Sequence, residues 1–297
     1  MRAADEGDTR GGGAIRREEA RVSVVSPSDG LIFTSATDIG RTRDHNEDFI
    51  GDPRLFEARV GGAGKLDERG WLFAVADGLG GHARGEIASR LAVETLFTSY
   101  YAGRQDLRDP KERLKQAFAA ANSAVYQAGH LMLADGSGSD LSPQDAPLSR
   151  MGTTLVAAVV LQHTIFVGNV GDSRAYVLEG NRLSQISEDH SLIAEEVRQG
   201  LIGAEEARNL PLRNVITRAL GARESLNADF FWRTWPGKGR LLLCSDGLHG
   251  PVKDPVIEST LKEYQPAEAA RRLIEAANAA GGPDNISVVV VVREAAP

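Results

Sequence analysis

Two apolar runs, Thr153–Leu161 and Thr164–Val170, are separated by only Gln162 and His163. A two-residue connection cannot carry the chain back to the start of a parallel neighbour, so the runs pair as an antiparallel hairpin. Beyond Ala175–Leu178, Gly180-Asn181 supplies a second tight turn, because both residue types accept positive φ. Trp71–Ala76, Arg240–Cys244 and Ile286–Val292, rich in Val, Leu, Ile and Phe, also read as strands. Antiparallel strands so closely spaced argue against a doubly wound parallel sheet and point to an α+β chain.

Three segments have helical periodicity. Gly85–Tyr101 places Ala88, Leu91, Ala92, Thr95 and Leu96 on one face, and Lys111–Ala128 does the same with Leu114, Ala117, Phe118, Ala121 and Val125. Asp109, Pro110 and Glu112 suit the N-cap, first and third positions of the second helix. Pro266–Ala280 turns Ala270, Leu273, Ile274 and Ala277 inward and stops at Gly281-Gly282. Asp52–Arg69 and Gly129–Arg150 have the polar, glycine-containing composition of surface insertions. The charged, glycine-bearing stretch 1–30 is expected to be a flexible tail, with order beginning near Leu31.

Composition limits the function classes. Of 297 residues, 42% are hydrophobic, enough to bury a core. A net charge of −7 disfavours binding to nucleic-acid phosphates. The one cysteine, Cys244, excludes an intramolecular disulfide and fits a reducing compartment. No apolar run approaches the roughly 18–20 residues of a membrane-spanning helix, and the start lacks a signal-peptide core; the expectation is a soluble cytoplasmic protein.

The carboxylates fall at the strand ends. Asp77-Gly78 follows Trp71–Ala76, Asp246-Gly247 follows Arg240–Cys244 and Ser245, Asp172 follows Thr164–Val170 and Gly171, and Asp284 precedes the last strand. Glu47-Asp48 stands just before Phe49-Ile50. Acidic groups driven together by core formation repel unless a cation intervenes, and an all-oxygen set suits Mg²⁺ or Mn²⁺ rather than zinc. Asp-Gly is also an ordinary turn dipeptide, so spacing alone leaves turn and metal site both open.

Motifs in order add to this. Arg43-Asp44-His45-Asn46-Glu47-Asp48 and Ala76-Asp77-Gly78-Leu79-Gly80-Gly81-His82 are followed by Met151-Gly152-Thr153-Thr154, Gly168-Asn169-Val170-Gly171-Asp172-Ser173-Arg174 and Asp189-His190-Ser191. Asn214-Val215-Ile216-Thr217-Arg218, Ser245-Asp246-Gly247-Leu248 and Gly282-Pro283-Asp284-Asn285 complete the series. Together they resemble the metal-dependent protein phosphatase family, of the protein phosphatase 2C type, in its bacterial branch. The resemblance runs from about Leu31 to Glu294.

The resemblance implies a four-layer α-β-β-α sandwich of two antiparallel sheets flanked by helices, forming one catalytic domain over 31–297 with a flap at about 189–221. It implies two Mg²⁺ or Mn²⁺ ions: Asp77 bridging both, Glu47 and the Gly78 carbonyl on one, Asp246 and Asp284 on the other, and Asp48 binding or orienting coordinated water. Arg43 takes the phosphate role, which suits a planar guanidinium. The implied reaction is attack on phosphoserine or phosphothreonine by a metal-bridged hydroxide, in a monomer opposing a Ser/Thr kinase and acting on its substrates. A third metal has Asp172 as a ligand but lacks two other acids, since Arg150 and His249-Gly250 stand where they are usual. Leu79 replaces a histidine that serves some members as general acid, so His45, His82 and coordinated water all remain open for that role. In the flap, Leu192, Ile193, Val197 and Leu201 form an apolar stripe; Arg208 reads as solvated, and Arg213 and Arg218 as docking groups for acidic phosphopeptides. Two rival readings are a binding-only relative, against which the full carboxylate set argues, and a hydrolase of small phosphoesters.

Overall fold

The computed structural model describes residues 21–23, 31–56, 66, 68–80, 83–102, 109–134, 151–203, 206, 210, 215–235 and 238–293. One sheet has the order β1 (Arg21–Ser23), β2 (Leu31–Asp38), β12 (Ile286–Arg293), β11 (Gly239–Cys244), β8 (Arg174–Glu179), β9 (Arg182–Gln185). The other has the order β10 (Asp229–Thr234), β7 (Thr164–Val170), β6 (Leu155–Leu161), β4 (Trp71–Leu79), β3 (Asp48–Gly51), with β5 (Gly152–Thr153) on the end of β4. Every pairing is antiparallel.

The sheets pack face to face, and a helical pair covers each outer face. Helices α1 (Ala83–Ala102) and α2 (Pro110–Ala134) bury Leu96, Phe97, Leu114 and Phe118 against the β4–β6–β7 sheet. On the far side, α5 (Asp254–Glu263) and α6 (Pro266–Ala279) bury Ile257, Leu261 and Leu273 against Leu242, Val288 and Val290. The central strands are therefore covered on both faces, which is why β6 is apolar without alternation and buried from Leu155 to Val160. This is the expected four-layer sandwich, and both hairpins form as their turns predict, pairing Leu161 with Thr164 and Glu179 with Arg182. At α2, Asp109 accepts the Lys111 N–H at 2.9 Å, as an N-cap should.

Several expectations change. First, Asp77-Gly78 lies inside β4, because β3 and β5, both distant in sequence, pair with Asp77 and Gly78 and extend the strand. Second, the Thr153–Leu161 run divides at Thr154, whose Oγ1 accepts the Asp77 N–H (3.0 Å) while its own N–H donates to the Asp77 carbonyl (2.8 Å). Third, β1 lies within the stretch expected to be a tail and adds an edge strand to β2. Fourth, the flap's apolar stripe is shallow: in α3 (Leu192–Arg198) Ile193 is buried, and Leu201 beyond it is 68% exposed. The Gly129–Arg150 insertion begins later than expected, since α2 continues to Ala134; residues 135–150 lie outside the described residues, as do 57–65.

Candidate active site

The β3–β4 register sets Asp48 directly opposite Asp77, so their side chains share one face at cross-strand distance. Two like charges so placed repel, and nothing in the strand pairing relieves them. β11 delivers the next carboxylate: it ends at Cys244, Ser245 follows, and Asp246 opens the short helix α4 (Asp246–His249). Ser245 binds the strands together, its Oγ donating to Asp48 Oδ2 (2.8 Å) and accepting from the Ser287 N–H (3.0 Å).

Asp284 arrives through Asn285, which is 4% exposed. The Asn285 Oδ1 accepts the Glu47 N–H (2.8 Å), and its Nδ2 donates to the carbonyls of Ile39 (3.0 Å) and His45 (2.9 Å). One amide thereby fixes the 39–47 loop, with Arg43 and Glu47, to the turn before β12. On the other side of this loop the Glu47 carbonyl accepts from Gly78 N–H (3.1 Å) and Ser89 Oγ (2.6 Å). Gly78 and Gly85 allow this closeness: a Cβ on Gly78 would lie 2.2 Å from the Gly85 carbonyl oxygen, and one on Gly85 would lie 2.1 Å from Glu47 Oε2. Asp172, in the turn between β7 and β8, is 5% exposed and its carbonyl accepts from His249 Nε2 (2.9 Å).

Burial and mutual repulsion shift Asp48, Asp77, Asp172 and Asp246 upward. Asp77 is held well above the usual carboxylate range by burial and then by Asp48, Asp246, Asp172 and Asp284. Burial raises Asp48 to about 7, with Asp246 and Asp284 adding to it against hydrogen bonds from Ser287 and Ser245. Asp172 is raised to about 8 by burial, then Asp246 and Asp189, and Asp246 to about 6 by burial, then Asp284. Asp48 Oδ1, Asp172 Oδ1 and Asp246 Oδ1 are buried and accept no hydrogen bond. Buried carboxylate oxygens in that condition are costly unless a cation meets them, and an all-oxygen set of this kind fits Mg²⁺ or Mn²⁺.

As placed, no three His, Cys, Asp or Glu side chains gather around one point among the described residues. Asp77 and Asp246 hydrogen-bond to each other, and Asp284 Oδ2 accepts from Arg43 Nη2 at 2.8 Å. Arg43 is half exposed beside the carboxylates, as a phosphate-binding group requires. The sequence-predicted residues Arg43, Glu47, Asp48, Asp77, Gly78, Asp172, Asp246 and Asp284 are thus brought to one end of the sandwich. Arg218 departs from expectation: it donates to Asp229 (3.3 Å) beside His190, so it does not present a free docking charge. His82, Arg150, Arg208 and Arg213 lie outside the described residues.

Supporting residues were harder to foresee. His190 is fully buried; its Nδ1 accepts the Gly171 N–H (3.2 Å), which leaves Nε2–H to donate to Asp229 (2.9 Å). Burial lowers its pKa despite Asp229, consistent with the neutral ring. Arg174 grips Asp189 with Nε and Nη2 at 2.6–3.0 Å, anchoring the base of the flap. Arg174 and Asp189 connect two motifs that the sequence displays, while Asp229 lies in none of them, and only the fold shows which group faces which.

An α-β-β-α sandwich with a carboxylate-lined end and an arginine at its rim defines a class, the phosphoester hydrolases of the metal-dependent phosphatase type. The chain belongs to the protein phosphatase 2C family, whose model matches residues 62–283. The serine/threonine phosphatase stp of Listeria monocytogenes is 36% identical over 261 residues, 87% of this chain and 94% of that protein. The crystal structure of the Mycobacterium tuberculosis serine/threonine phosphatase PstP/Ppp superposes with a TM-score of 0.73 at 35% identity, covering 89% of this chain and 99% of that one. A structure of the PstP catalytic domain in complex with two manganese ions has a TM-score of 0.70 at 34% identity, covering 88% and 97%.

Proposed function

We propose that this chain is a serine/threonine protein phosphatase that uses two Mg²⁺ or Mn²⁺ ions to hydrolyse phosphoserine and phosphothreonine on proteins. The observation that carries the reading is the set of partnerless buried oxygens on Asp48, Asp172 and Asp246, pressed together at the end of a phosphatase fold. Glu47, Asp77, the Gly78 carbonyl, Asp246 and Asp284 hold the ions in this reading, and Asp172 is the one candidate ligand for a third. When bound, the ions supply Lewis-acid charge and lower the pKa of coordinated water towards neutrality.

The chain's own groups do the rest. Arg43, released from Asp284, offers two parallel N–H donors to the phosphate oxygens as substrate arrives. Asp48, fixed through Ser245, orients water on the cluster face. Asn285 holds the Arg43 loop and the Asp284 turn in register, so phosphate and metal groups keep their spacing. The domain reading belongs with this proposal: one catalytic domain over 31–297 with the flap beside it. So do a cytoplasmic monomer and a place opposite a Ser/Thr kinase, the enzyme class that makes such substrates. Among the described residues no helix is long and apolar enough to cross a membrane.

The test is hydrolysis of a phosphothreonine peptide by purified protein with Mn²⁺, then with excess EDTA, beside a panel of small phosphoesters. Metal-dependent release of phosphate, with the peptide preferred, supports the proposal. Hydrolysis of the small esters alone would move the function to small-molecule chemistry.

A further inference from the structure

The strands that carry Asp246 and Asp284 to one end of the first sheet open a second concavity at their other end. A groove of about 590 Å³ lies where β8, β11 and β12 run out past the α5–α6 junction. Its floor includes Leu178 and Val292, both nearly buried, and Lys238, Arg240 and Lys262 stand around it. The amides of Asn181 and Gln265 complete the rim. From Arg240 to Asp246 the chain travels six residues, roughly 20 Å of strand, so this groove and the carboxylate site are separate places.

The charge is out of keeping with the protein as a whole. The chain is net −7, yet among the described residues no carboxylate lines the groove. Of the nearby acids, Glu258 takes the groove's own Lys262 (2.6 Å), Glu179 takes Arg233 (2.5 Å) and Glu268 takes Arg271 and Arg272. Arg240 has a guanidinium N–H on the Tyr264 carbonyl, and burial lowers its pKa with no carboxylate acting in the other direction. Arg293 turns to the other face of β12, donating to the Leu161 carbonyl (2.7 Å) and lying over the Trp235 ring at 4.9 Å, so the charge at the groove is that of Lys238, Arg240 and Lys262.

We propose that this groove is a binding site for a small organic phosphate, of nucleoside monophosphate size, distinct from the phosphoprotein substrate. The phosphate sits on Lys238 and Arg240, and the ring lies on Leu178 and Val292. A volume of about 590 Å³ falls within the roughly 300–1,000 Å³ of small-ligand sites, and an apolar floor with a few convergent polar groups is their usual make-up. A bare inorganic anion would leave that floor unused.

The test is titration of the Mg²⁺-loaded, isotope-labelled protein with adenosine 5′-monophosphate, followed by amide NMR. Saturable shifts at Gly180, Asn181 and Gly239, with Gly78 and Gly247 unmoved, are expected. Adenosine, which lacks the phosphate, should bind roughly ten-fold more weakly or worse, and Arg240→Gln or Lys238→Ala should weaken the nucleotide by a similar factor. Lys238→Ala guards against a folding defect from losing the Arg240 bond to Tyr264, and both variants should keep phosphopeptide hydrolysis without nucleotide. No saturable shift at millimolar nucleotide, shifts confined to Gly78 and Gly247, or affinity unchanged in both variants would overturn the proposal.

Discussion

Two sets of buried charges lie next to each other in this molecule, and they are solved in opposite ways. Arg174 and Asp189 form a closed pair, with three guanidinium–carboxylate contacts, and Asp189 is held below the usual carboxylate range against burial by that arginine. Asp172, two residues before Arg174, is pushed up to about 8 by burial and by Asp246 and Asp189. One turn thus carries an acid that the fold leaves unsatisfied and, two residues on, an arginine that satisfies another. A fold that can pair its charges and leaves Asp48, Asp77, Asp172 and Asp246 facing each other has kept those oxygens for something else. The paired set is architecture, and the unpaired set is the site.

The largest effect should come from breaking the unpaired set. Asp77→Asn should lower kcat on a phosphothreonine peptide by about a thousand-fold or more, ~4 kcal/mol of barrier. In metal-free protein the same change should raise Tm, because it removes a carboxyl that burial and the neighbouring Asp48, Asp246, Asp172 and Asp284 all penalise. A metal-free Tm that falls would show that Asp77 is a structural acid.

Breaking the paired set should do the reverse. Asp189→Ala leaves Arg174 without its carboxylate at a site where the side chain is only 21% exposed, and should destabilise the fold by about 3 kcal/mol in a denaturant titration. Loss of activity should follow the loss of folded protein and not precede it.

pH sharpens the contrast further. Asp48, Asp172 and Asp246 have folded pKa values above their ordinary 3.8, so between about pH 4 and 8 the metal-free folded chain holds protons that the unfolded chain has released. Its stability should fall as pH rises through that window, by about 1.4 kcal/mol per unit for each such proton. The rise in Tm on adding Mg²⁺ should accordingly be larger at pH 8 than at pH 5. An equal rise at both would mean that the carboxylates do not bear the charge.

The smallest predicted change is at Ser245, which links Asp48 to Ser287. Ser245→Ala should cost about 1 kcal/mol of stability and reduce kcat more than it raises KM, since it loosens a water-orienting carboxylate and touches no substrate group.

Much of this was legible in the chain itself. The hairpin at Gln162-His163, the Gly180-Asn181 turn and the α2 cap follow from local rules, and antiparallel pairing follows from strands joined so tightly, while the layer order came only with the family resemblance. The carboxylates stand out at the ends of apolar runs, but that spacing also fits ordinary turns, and their metal roles come from the ordered series of motifs. What escaped were features decided by residues far apart in sequence. β4 runs through Asp77-Gly78 because β3 and β5 pair there, and no local pattern announces that an Asp-Gly will be held extended. Asn285 was visible as part of a motif, but its grip on Glu47, Ile39 and His45 spans some 240 residues. Arg218 reads from sequence as a free docking charge, because Asp229, its partner, sits on an edge strand that the apolar runs do not reveal.

The central claim is that the unpaired carboxylates are a divalent-cation site, and equilibrium Mn²⁺ binding to metal-stripped protein near pH 7.5 tests it most directly. Two ions per chain, with Asp77→Asn or Asp246→Asn reducing the number or weakening binding by orders of magnitude while Asp189→Asn leaves it unchanged in the folded fraction, is the predicted result. No binding by folded wild-type protein, or binding indifferent to Asp77 and Asp246, would contradict it.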